Sequence, residues 1–267
     1  MDQIILPRLS IEITTRCNLK CKYCAVGIPT QKEVIHLDVA TVRLYLQKVF
    51  EVVDYVESLE FTGGEPLLHE SLPEMIHTYM DFKPHFGRFL IVTNGTVKPT
   101  DSLLTVLEQY KASGIIHISD YGLAPARTKD LIYNLEQIGF PYRVDKYWGD
   151  DQYQGGWVDP GAVAPHGRTQ EQLTNIFANC GLSANGGCWR THKGQLHFCA
   201  RSCRCADEGF VFPGDFIDLL DPASSIEEKR AQLRALRQKQ YLKACDYCNG
   251  TMGTKDSSKR VPAGEQL

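Results

Sequence analysis

The chain has 267 residues, of which 43% are hydrophobic, so it can bury one sizeable core and a smaller appendage. Its 29 basic and 32 acidic residues give a net charge of −3, which disfavours a nucleic-acid partner or an anionic membrane surface. The N-terminus lacks a signal-peptide pattern and no stretch approaches the length of a membrane span, so we expect a cytoplasmic protein with no membrane partner.

Repeated βα units are predicted from residue 8 to about 147, where short apolar runs alternate with amphipathic ones. Strands are predicted near Leu9–Thr15, Ser58–Thr62, Arg88–Thr93, Ile115–Ser119 and Tyr142–Lys146. Helices are predicted near Asp38–Val53, Leu72–Asp81, Asp101–Lys111 and Arg127–Gln137, with Asp38, Ser71 and Asp101 as N-caps. Parallel strands of this kind carry their ligand sites at their carboxyl ends.

The first strand runs almost directly into three cysteines, Cys17, Cys21 and Cys24, with the spacing C-x3-C-x2-C. Iron–sulfur clusters are usually held by four thiolates, so three from one loop indicate a [4Fe–4S] cluster with one iron open to another ligand. A zinc site or plain buried thiols are the alternatives that the triad alone leaves open.

A second segment, Leu59-Glu-Phe-Thr-Gly-Gly-Glu-Pro66, reads as a strand that runs into a Gly-Gly-Glu-Pro turn. Together with Tyr23 just before the third cysteine, the two segments resemble the radical S-adenosylmethionine (radical SAM) superfamily. The resemblance implies an enzyme with a partial (β/α)6 barrel that cleaves SAM to a 5′-deoxyadenosyl radical. It also implies that SAM is bound by Gly63, Gly64, Glu65 and Pro66, with the adenine near Tyr23.

Two further segments follow predicted strands and should lie at the same rim of the barrel. They are Thr93-Asn94-Gly95 and Ser119-Asp120-Tyr121-Gly122. They resemble the segments that approach the carboxylate and ribose of SAM in this superfamily, which implies cofactor contacts for Asn94 and Ser119. Ordinary turn formation explains both equally well, because Asn-Gly and Asp-x-Gly are common turn formers.

The other seven cysteines all follow residue 179, and we expect metal or redox chemistry from them rather than disulfides. Residues 188–199 read as a β-hairpin with Lys-Gly at the turn. The pattern resembles the twitch module, the shortened form of the SPASM extension of radical SAM enzymes, which holds one auxiliary [4Fe–4S] cluster. The implied ligands are Cys180, Cys199, Cys245 and Cys248, with Cys188 as the alternative to Cys180; a four-cysteine zinc site stays open.

Cys203 and Cys205 are left over from both sets. They are inert thiols, additional ligands, or hydrogen-atom donors like the cysteine that radical SAM epimerases place opposite the adenosyl radical.

We therefore predict an α/β chain with a partial-barrel core at residues 1–150, a connecting loop region at 151–179 and a small Cys-rich module at 180–267. The resemblance implies hydrogen abstraction from a small polar, carbohydrate-like substrate, giving oxidation or epimerisation, with a flavodoxin or ferredoxin as electron donor. The first strand begins near the N-terminus and leaves no room before it for a leader-binding domain, which favours this substrate over a ribosomal peptide. A peptide maturase and a non-catalytic zinc-binding scaffold are the alternatives.

Overall fold

The computed structural model describes residues 3–153, 157–250 and 260–267. In this part of the chain, eight strands form one sheet. The strands are β1 (Ile5–Thr14), β2 (Tyr55–Gly63), β3 (Phe86–Thr93), β4 (Gly114–Asp120), β5 (Tyr142–Lys146), β6 (Trp189–His192), β7 (Gln195–His197) and β8 (Phe216–Asp218). The helices are α1 (Val39–Val52), α2 (Leu72–Met80), α3 (Asp101–Gln109), α4 (Pro125–Ile138), α5 (Gln170–Asn179), α6 (Gly181–Ala184), α7 (Ala200–Asp207) and α8 (Ile226–Arg237).

The strand order is β5-β4-β3-β2-β1-β6-β7-β8, and the sheet is open. The strands from β5 to β6 run parallel, while β7 and β8 continue the sheet as antiparallel neighbours. Helices α1 to α4 connect β1 to β5 in sequence, as crossovers between parallel strands must. The predicted partial (β/α)6 barrel is confirmed.

The two faces of the sheet differ in polarity because side chains alternate along a strand. Leu9 and Ile11 of β1 and Phe61 of β2 are fully buried in the main hydrophobic core with helices α1 and α2. The ring of Phe61 stacks on Tyr79 of α2 at 3.7 Å. The opposite face carries Ser10 and other polar residues, and they point into the space that the curved sheet encloses.

The predicted hairpin is confirmed, and it supplies the sixth parallel strand that the sequence pattern did not reveal. Strands β6 and β7 pair antiparallel across Lys193 and Gly194, both of which have positive φ, as in the type I′ turns of short hairpins. Strand β6 pairs with β1, so this hairpin extends the core sheet. The division of the chain at residues 150 and 180 stays a prediction.

Some local predictions need correction. Asp38 caps α1 as predicted, accepting from the Thr41 amide at 2.7 Å, but α3 is capped by Thr100 and not by Asp101. Ser71 precedes α2 without a side-chain capping bond. The connecting region 151–179 contains helix α5, which begins at a capping box formed by Thr169 and Gln172. Residues 154–156 of that region lie outside the described residues.

Within the described ranges, none of the helices combines the length and the apolar character needed to span a bilayer.

Candidate functional site

The first three cysteines lie on one loop that follows β1. Cys21 is buried, and Cys17 and Cys24 are half-buried. Burial, together with the nearby Glu65, Cys21 and Cys24, raises the pKa of Cys17 to about 11. Burial also raises the pKa of Cys21, with Cys24 adding to the effect. Because these thiols oppose one another's ionisation, their thiolates fit a site that holds a positively charged metal group.

Gly63 and Gly64 bring the end of β2 against the start of this loop. A Cβ atom on Gly63 would lie 1.9 Å from the Thr14 carbonyl oxygen, and one on Gly64 would lie 2.2 Å from that of Arg16. The amide of Gly64 donates to Thr14 O at 2.8 Å, and the amide of Glu65 donates to Arg16 O at 2.9 Å. The two glycines are therefore required for close backbone approach to the cysteine loop.

The carboxylate of Glu65 is fully buried. It accepts hydrogen bonds from the Thr93 hydroxyl and the Asn94 amide, both at 2.7 Å, and from the Leu67 amide at 3.0 Å. Burial raises the pKa of Glu65 to about 7, although these three donors oppose the rise. This side chain therefore holds the end of β3 in place. Pro66 starts a 3-10 turn, Pro66–Leu68, whose first two residues are buried.

Asn94 and Ser119 lie beyond or at the ends of neighbouring strands, at the same rim as the cysteines. The Asn94 side-chain amide donates to Asn18 Oδ1 at 3.0 Å and lies 4.0 Å from Cys17 Sγ. Ser119 precedes Asp120, the last residue of β4, and its side chain lies near that of Tyr121. The structure thus brings together the predicted residues from four consecutive strands.

Aromatic residues that the sequence analysis did not assign to the site form a cluster beside this rim. Tyr147, Trp157 and Ala263 are buried together, and Tyr23, Tyr121 and Val261 pack against them. The Tyr121 and Tyr147 rings stack at 5.5 Å, and Trp157 meets Tyr121 edge to face at 5.8 Å. Tyr23, predicted near the adenine, therefore lies in an apolar aromatic environment.

Residues 260–267 run along the cysteine loop as a short antiparallel partner. The Lys22 amide donates to Glu265 O at 2.7 Å, and the Leu267 amide donates to Lys20 O at 2.9 Å. The Gln266 side chain accepts from the Lys20 amide at 2.7 Å and donates to Cys21 Sγ at 3.4 Å. No sequence signal connects Gln266 with Cys21, because they are 245 residues apart.

The four cysteines predicted for the auxiliary cluster lie near one another in the C-terminal part of the chain. Burial raises the pKa of Cys199 well above its usual value, with Cys245, Cys248 and Cys180 contributing. Burial also raises the pKa of Cys245 to about 12, again with Cys248 and Cys180 nearby. Cys188, the alternative ligand, lies elsewhere: its sulfur is 4.0 Å from the Ser10 hydroxyl on the polar face of β1.

Two arginines that the sequence analysis missed hold the Cys245–Cys248 segment. Arg168 donates to the carbonyl oxygens of Cys245 and Asp246, both at 3.0 Å. Arg201 of α7 donates through Nε to the Tyr247 carbonyl oxygen at 2.6 Å. Burial raises the pKa of Cys248, and the Arg201 and Arg168 charges oppose this rise. The pair supplies positive charge where four thiolates would otherwise repel one another.

Cys203 and Cys205 are both buried on α7 but face different surroundings. Burial raises the pKa of Cys203 well above its usual value, while the nearby Arg190 opposes and Glu12 adds to the rise. Cys205 is fully buried and belongs to the main hydrophobic core. Cys203 therefore lies near Arg190 and Glu12, whereas Cys205 lies near Arg201 and Cys248.

His36, His69 and Glu70 form the one trio of His, Cys, Asp or Glu in the described residues whose ligand atoms lie within 4.8 Å of one another. The two imidazole rings stack in parallel at 3.8 Å, so their in-plane lone pairs do not converge on one point. Both His69 nitrogens also engage the backbone, at Leu37 O and the Ser71 amide. The trio is a hydrogen-bonded stack and not a cation site.

Sequence comparison gives a match to the Radical SAM superfamily over residues 11–121. A GTP 3′,8-cyclase from Syntrophomonas wolfei is 27% identical over 125 residues, which cover 45% of this chain and 36% of the relative. The chain thus spans about a third of the length of this curated relative. It spans 25% of the length of a second GTP 3′,8-cyclase, from Chlorobaculum tepidum.

Two solved structures share the fold over nearly the whole chain. Native anSMEcpe with bound AdoMet and Kp18Cys peptide gives a TM-score of 0.54 at 15% identity, covering 97% of this chain and 93% of that one. BtrN in complex with AdoMet and 2-DOIA gives 0.54 at 16% identity, covering 98% and 100%. The sequence match therefore identifies residues 11–121 as a radical SAM domain, and the two solved structures share the fold of the chain.

Proposed function

We propose that this chain is a radical SAM enzyme whose Cys17, Cys21 and Cys24 hold a [4Fe–4S] cluster next to bound SAM. The proposal rests on one observation: Cys17, Cys21 and Cys24 lie near one another on a single loop, and the start of that loop packs against the Gly63–Gly64 backbone. With SAM bound, the cluster would supply the electron that releases a 5′-deoxyadenosyl radical, which removes a hydrogen atom from substrate. The AdoMet-bound state of both solved neighbours supports this cofactor.

The residues of the rim would orient SAM without taking part in bond cleavage. Backbone carbonyls of Gly63 and Gly64 are suited to accept hydrogen bonds from the methionine amino group. Glu65 would act as a positioning residue, because its carboxylate anchors Asn94 beside Cys17. The aromatic cluster around Tyr23 would exclude water from the adenine side.

We further propose that Cys180, Cys199, Cys245 and Cys248 hold an auxiliary [4Fe–4S] cluster. A single tetrahedral zinc ion, with Zn–S bonds of about 2.3 Å, brings its sulfur ligands about 3.8 Å apart. Among the described cysteines, no three sulfurs lie within 4.8 Å of one another. This wider spacing between the sulfur atoms favours a larger inorganic group over zinc. The positive charges of Arg168 and Arg201 beside the Cys245–Cys248 segment also suit a site with excess negative charge.

The proposed substrate is a small polar molecule, and the proposed outcome is oxidation or epimerisation. The neighbour BtrN was solved with 2-DOIA, and anSMEcpe with a peptide, so a peptide substrate is the alternative. In an epimerisation, the Cys203 thiol would return a hydrogen atom to the substrate carbon. The thiyl radical left on Cys203 would then need one electron and one proton, the electron coming from a flavodoxin or ferredoxin.

The test is anaerobic purification and reconstitution, followed by iron analysis and measurement of 5′-deoxyadenosine after addition of SAM and dithionite. We expect about eight irons per chain for two four-iron clusters, with 5′-deoxyadenosine formed. Replacing Cys17, Cys21 and Cys24 by Ala should abolish SAM cleavage. A colourless protein that contains zinc and leaves SAM intact would instead identify the non-catalytic scaffold.

A further inference from the structure

Helix α7 lies between the two groups of cysteines and contacts both of them. It begins directly after Cys199, a proposed ligand of the second group, and six of its eight residues are buried. Arg201 in its first turn contacts the Cys245–Cys248 segment, and Arg204 in its second turn contacts the segment that follows Cys24. The helix is therefore a packed element that connects one cysteine site with the other.

Arg201 attaches the start of α7 to the second group of cysteines. Besides the Tyr247 carbonyl oxygen, its guanidinium group donates to those of Gly161 and Ala162, at 3.0 and 2.6 Å. The residue is only 6% exposed. In the part of the chain that the structure describes, its hydrogen bonds all go to backbone carbonyl oxygens, so no acidic side chain there balances its charge.

Arg204, on the same helix, has the carboxylate partners that Arg201 lacks in the described ranges. It is 4% exposed and pairs with Glu208 at 2.9 Å and with Asp207 at 3.5 Å. A buried charge without such a partner is costly, so Arg201 needs another source of negative charge. Arg201 opposes the rise in the pKa of Cys248, so its charge acts on that thiol. Metal-bound thiolates would supply the missing negative charge, and the position of α7 should therefore depend on metal loading of the second site.

Arg204 attaches α7 to the first cysteine loop. Its Nη2 atom donates to the carbonyl oxygen of Thr30 at 3.3 Å and to the Thr30 hydroxyl at 3.2 Å. A Cβ atom on Gly27 would lie 2.8 Å from Arg204 Nε, so the guanidinium group packs directly on the Gly27 backbone. The Thr30 amide donates to Gly27 O at 3.1 Å, and the Gly27 amide donates to Cys24 O at 2.9 Å. A continuous series of hydrogen bonds thus runs from Arg204 to Cys24.

We propose that Arg204 is a positioning residue for Cys24, and that α7 makes SAM binding at the first cysteines depend on metal loading of the second group. SAM would contact both the metal group that Cys24 helps to hold and the Gly63–Gly64 backbone, so its affinity depends on how the loop is held. Couplings between two sites typically change an affinity by roughly 5- to 150-fold, and they act in both directions. This inference rests on the proposed function, because it names how one of the two proposed sites regulates the other.

The experiment is a calorimetric titration of SAM into anaerobically reconstituted protein that is left unreduced, so that binding is measured without turnover. Arg204→Gln should weaken SAM binding about tenfold, because it removes the contact with Thr30. Cys180→Ser, which should lose only the second metal group, should weaken SAM binding by a similar factor. The double variant should lose less binding free energy than the sum of the two single losses, because both substitutions act through α7.

Arg230→Gln is the matched control. Arg230 of α8 also joins a C-terminal helix to the barrel, through the Val52 carbonyl oxygen at 3.2 Å and the Asp54 carboxylate at 2.8 Å, but it does so before β2 begins and not at the cysteine rim. Lys32→Ala is a second control, because it removes only the exposed ion pair with Glu208. Both controls should bind SAM as the wild type does.

Arg204→Lys keeps a positive charge beside Asp207 and Glu208 but replaces the planar guanidinium group, so its SAM affinity should lie between those of the wild type and Arg204→Gln. It decides the question if Arg204→Gln does not fold or does not take up iron, and wild-type affinity of Arg204→Lys would then defeat the inference.

The inference is overturned if Arg204→Gln or the iron-depleted Cys180→Ser binds SAM with wild-type affinity, or if the two losses simply add in the double variant. Wild-type iron content and SAM cleavage are measured on the same preparations. Cleavage with equal SAM affinities in all variants defeats this inference alone, and absence of cleavage defeats the proposed function.

Discussion

At the residue scale, buried polar side chains on the inner face of the barrel differ in whether they stabilise the fold. Thr14 and Thr62 are both buried threonines at the carboxyl ends of neighbouring strands. The Thr14 hydroxyl lies 3.0 Å from His36 Nδ1 and accepts from the Arg16 amide at 3.1 Å. The Thr62 hydroxyl has no such partner in the described residues. The same residue type therefore has opposite energetic consequences at the two positions.

Thr62→Val should leave the free energy of unfolding unchanged or raise it by about 1 kcal/mol, because it removes an unsatisfied buried hydroxyl. Thr14→Val should lower it by about 1 to 2 kcal/mol, because it leaves the His36 and Arg16 groups without their partner. Denaturant unfolding of both variants under anaerobic conditions checks this pair. Equal destabilisation by the two substitutions would contradict it.

The buried His197 side chain should make the fold less stable at acidic pH. Burial lowers its pKa to about 3, and its nitrogens lie 2.8 Å from the Ser202 hydroxyl and 3.1 Å from Gln195 Oε1. Because the folded pKa lies below the unfolded value of about 6.5, the unfolded state binds the proton. The stability contribution is complete above pH 6.5 and is lost progressively as the pH falls from 6.5 towards 3.

Between pH 7.5 and 5.5, the wild type should lose about 1.4 kcal/mol of stability through His197, and His197→Gln should lose that much less. Replacing the exposed His85 by Gln is the control and should keep the wild-type pH dependence. Unfolding curves measured at both pH values test this. An identical pH dependence in wild type and His197→Gln would contradict it.

At the element scale, the segment 260–267 completes the environment of the cysteine loop. Gln266 connects that segment to Cys21 through a 3.4 Å contact from its amide nitrogen to the sulfur. Hydrogen bonds to cluster sulfurs raise the reduction potential, since they stabilise the added negative charge. The segment therefore helps to position the loop, and it would make a cluster held by the proposed ligands easier to reduce.

Gln266→Leu should shift the reduction potential of the first cluster to a more negative value, because it removes the N–H···S contact but keeps the side-chain volume. Redox titration followed by electron paramagnetic resonance measures the shift. Gln137→Leu, on the exposed side of α4, should leave the potential unchanged. A potential unaffected by Gln266→Leu would show that this contact does not act on the cluster.

At the scale of the whole molecule, the two cysteine groups belong to one sheet. Strand β6 pairs with β1, and the hairpin that leads to Cys199 starts from β6. Arg204 of α7 also donates to the Thr30 carbonyl oxygen at 3.3 Å, just after the first cysteine loop. The C-terminal part of the chain therefore extends the core sheet and contacts the segment that follows the first cysteine loop.

This arrangement separates the roles of Cys180 and Cys188, which the sequence left open. Cys180→Ser should lower the iron content from about eight to about four per chain, because it removes a ligand of the proposed auxiliary cluster. Cys188→Ser should retain about eight, because Cys188 faces Ser10 instead. Iron analysis after anaerobic reconstitution distinguishes them, and the reverse result would exchange the two assignments.

The local motifs of this protein and their position at one rim could be predicted from its sequence alone. The C-x3-C-x2-C spacing after an apolar strand and the Gly-Gly turn after the next strand are short-range patterns, and repeated βα units place them at one rim. The hairpin was equally predictable, because a Lys-Gly turn specifies its own geometry.

The tertiary structure decided which distant residues share an environment. Arg190 and Glu12 are 178 residues apart, and only the pairing of β6 with β1 puts them on one face. The motif of Glu65 predicts a contact with SAM, and the structure adds that its carboxylate accepts hydrogen bonds from Thr93 and Asn94 at the end of β3. Sequence periodicity reports which face of a strand a residue occupies, whereas the partners on that face depend on strand order and register, which the packing of the whole chain determines.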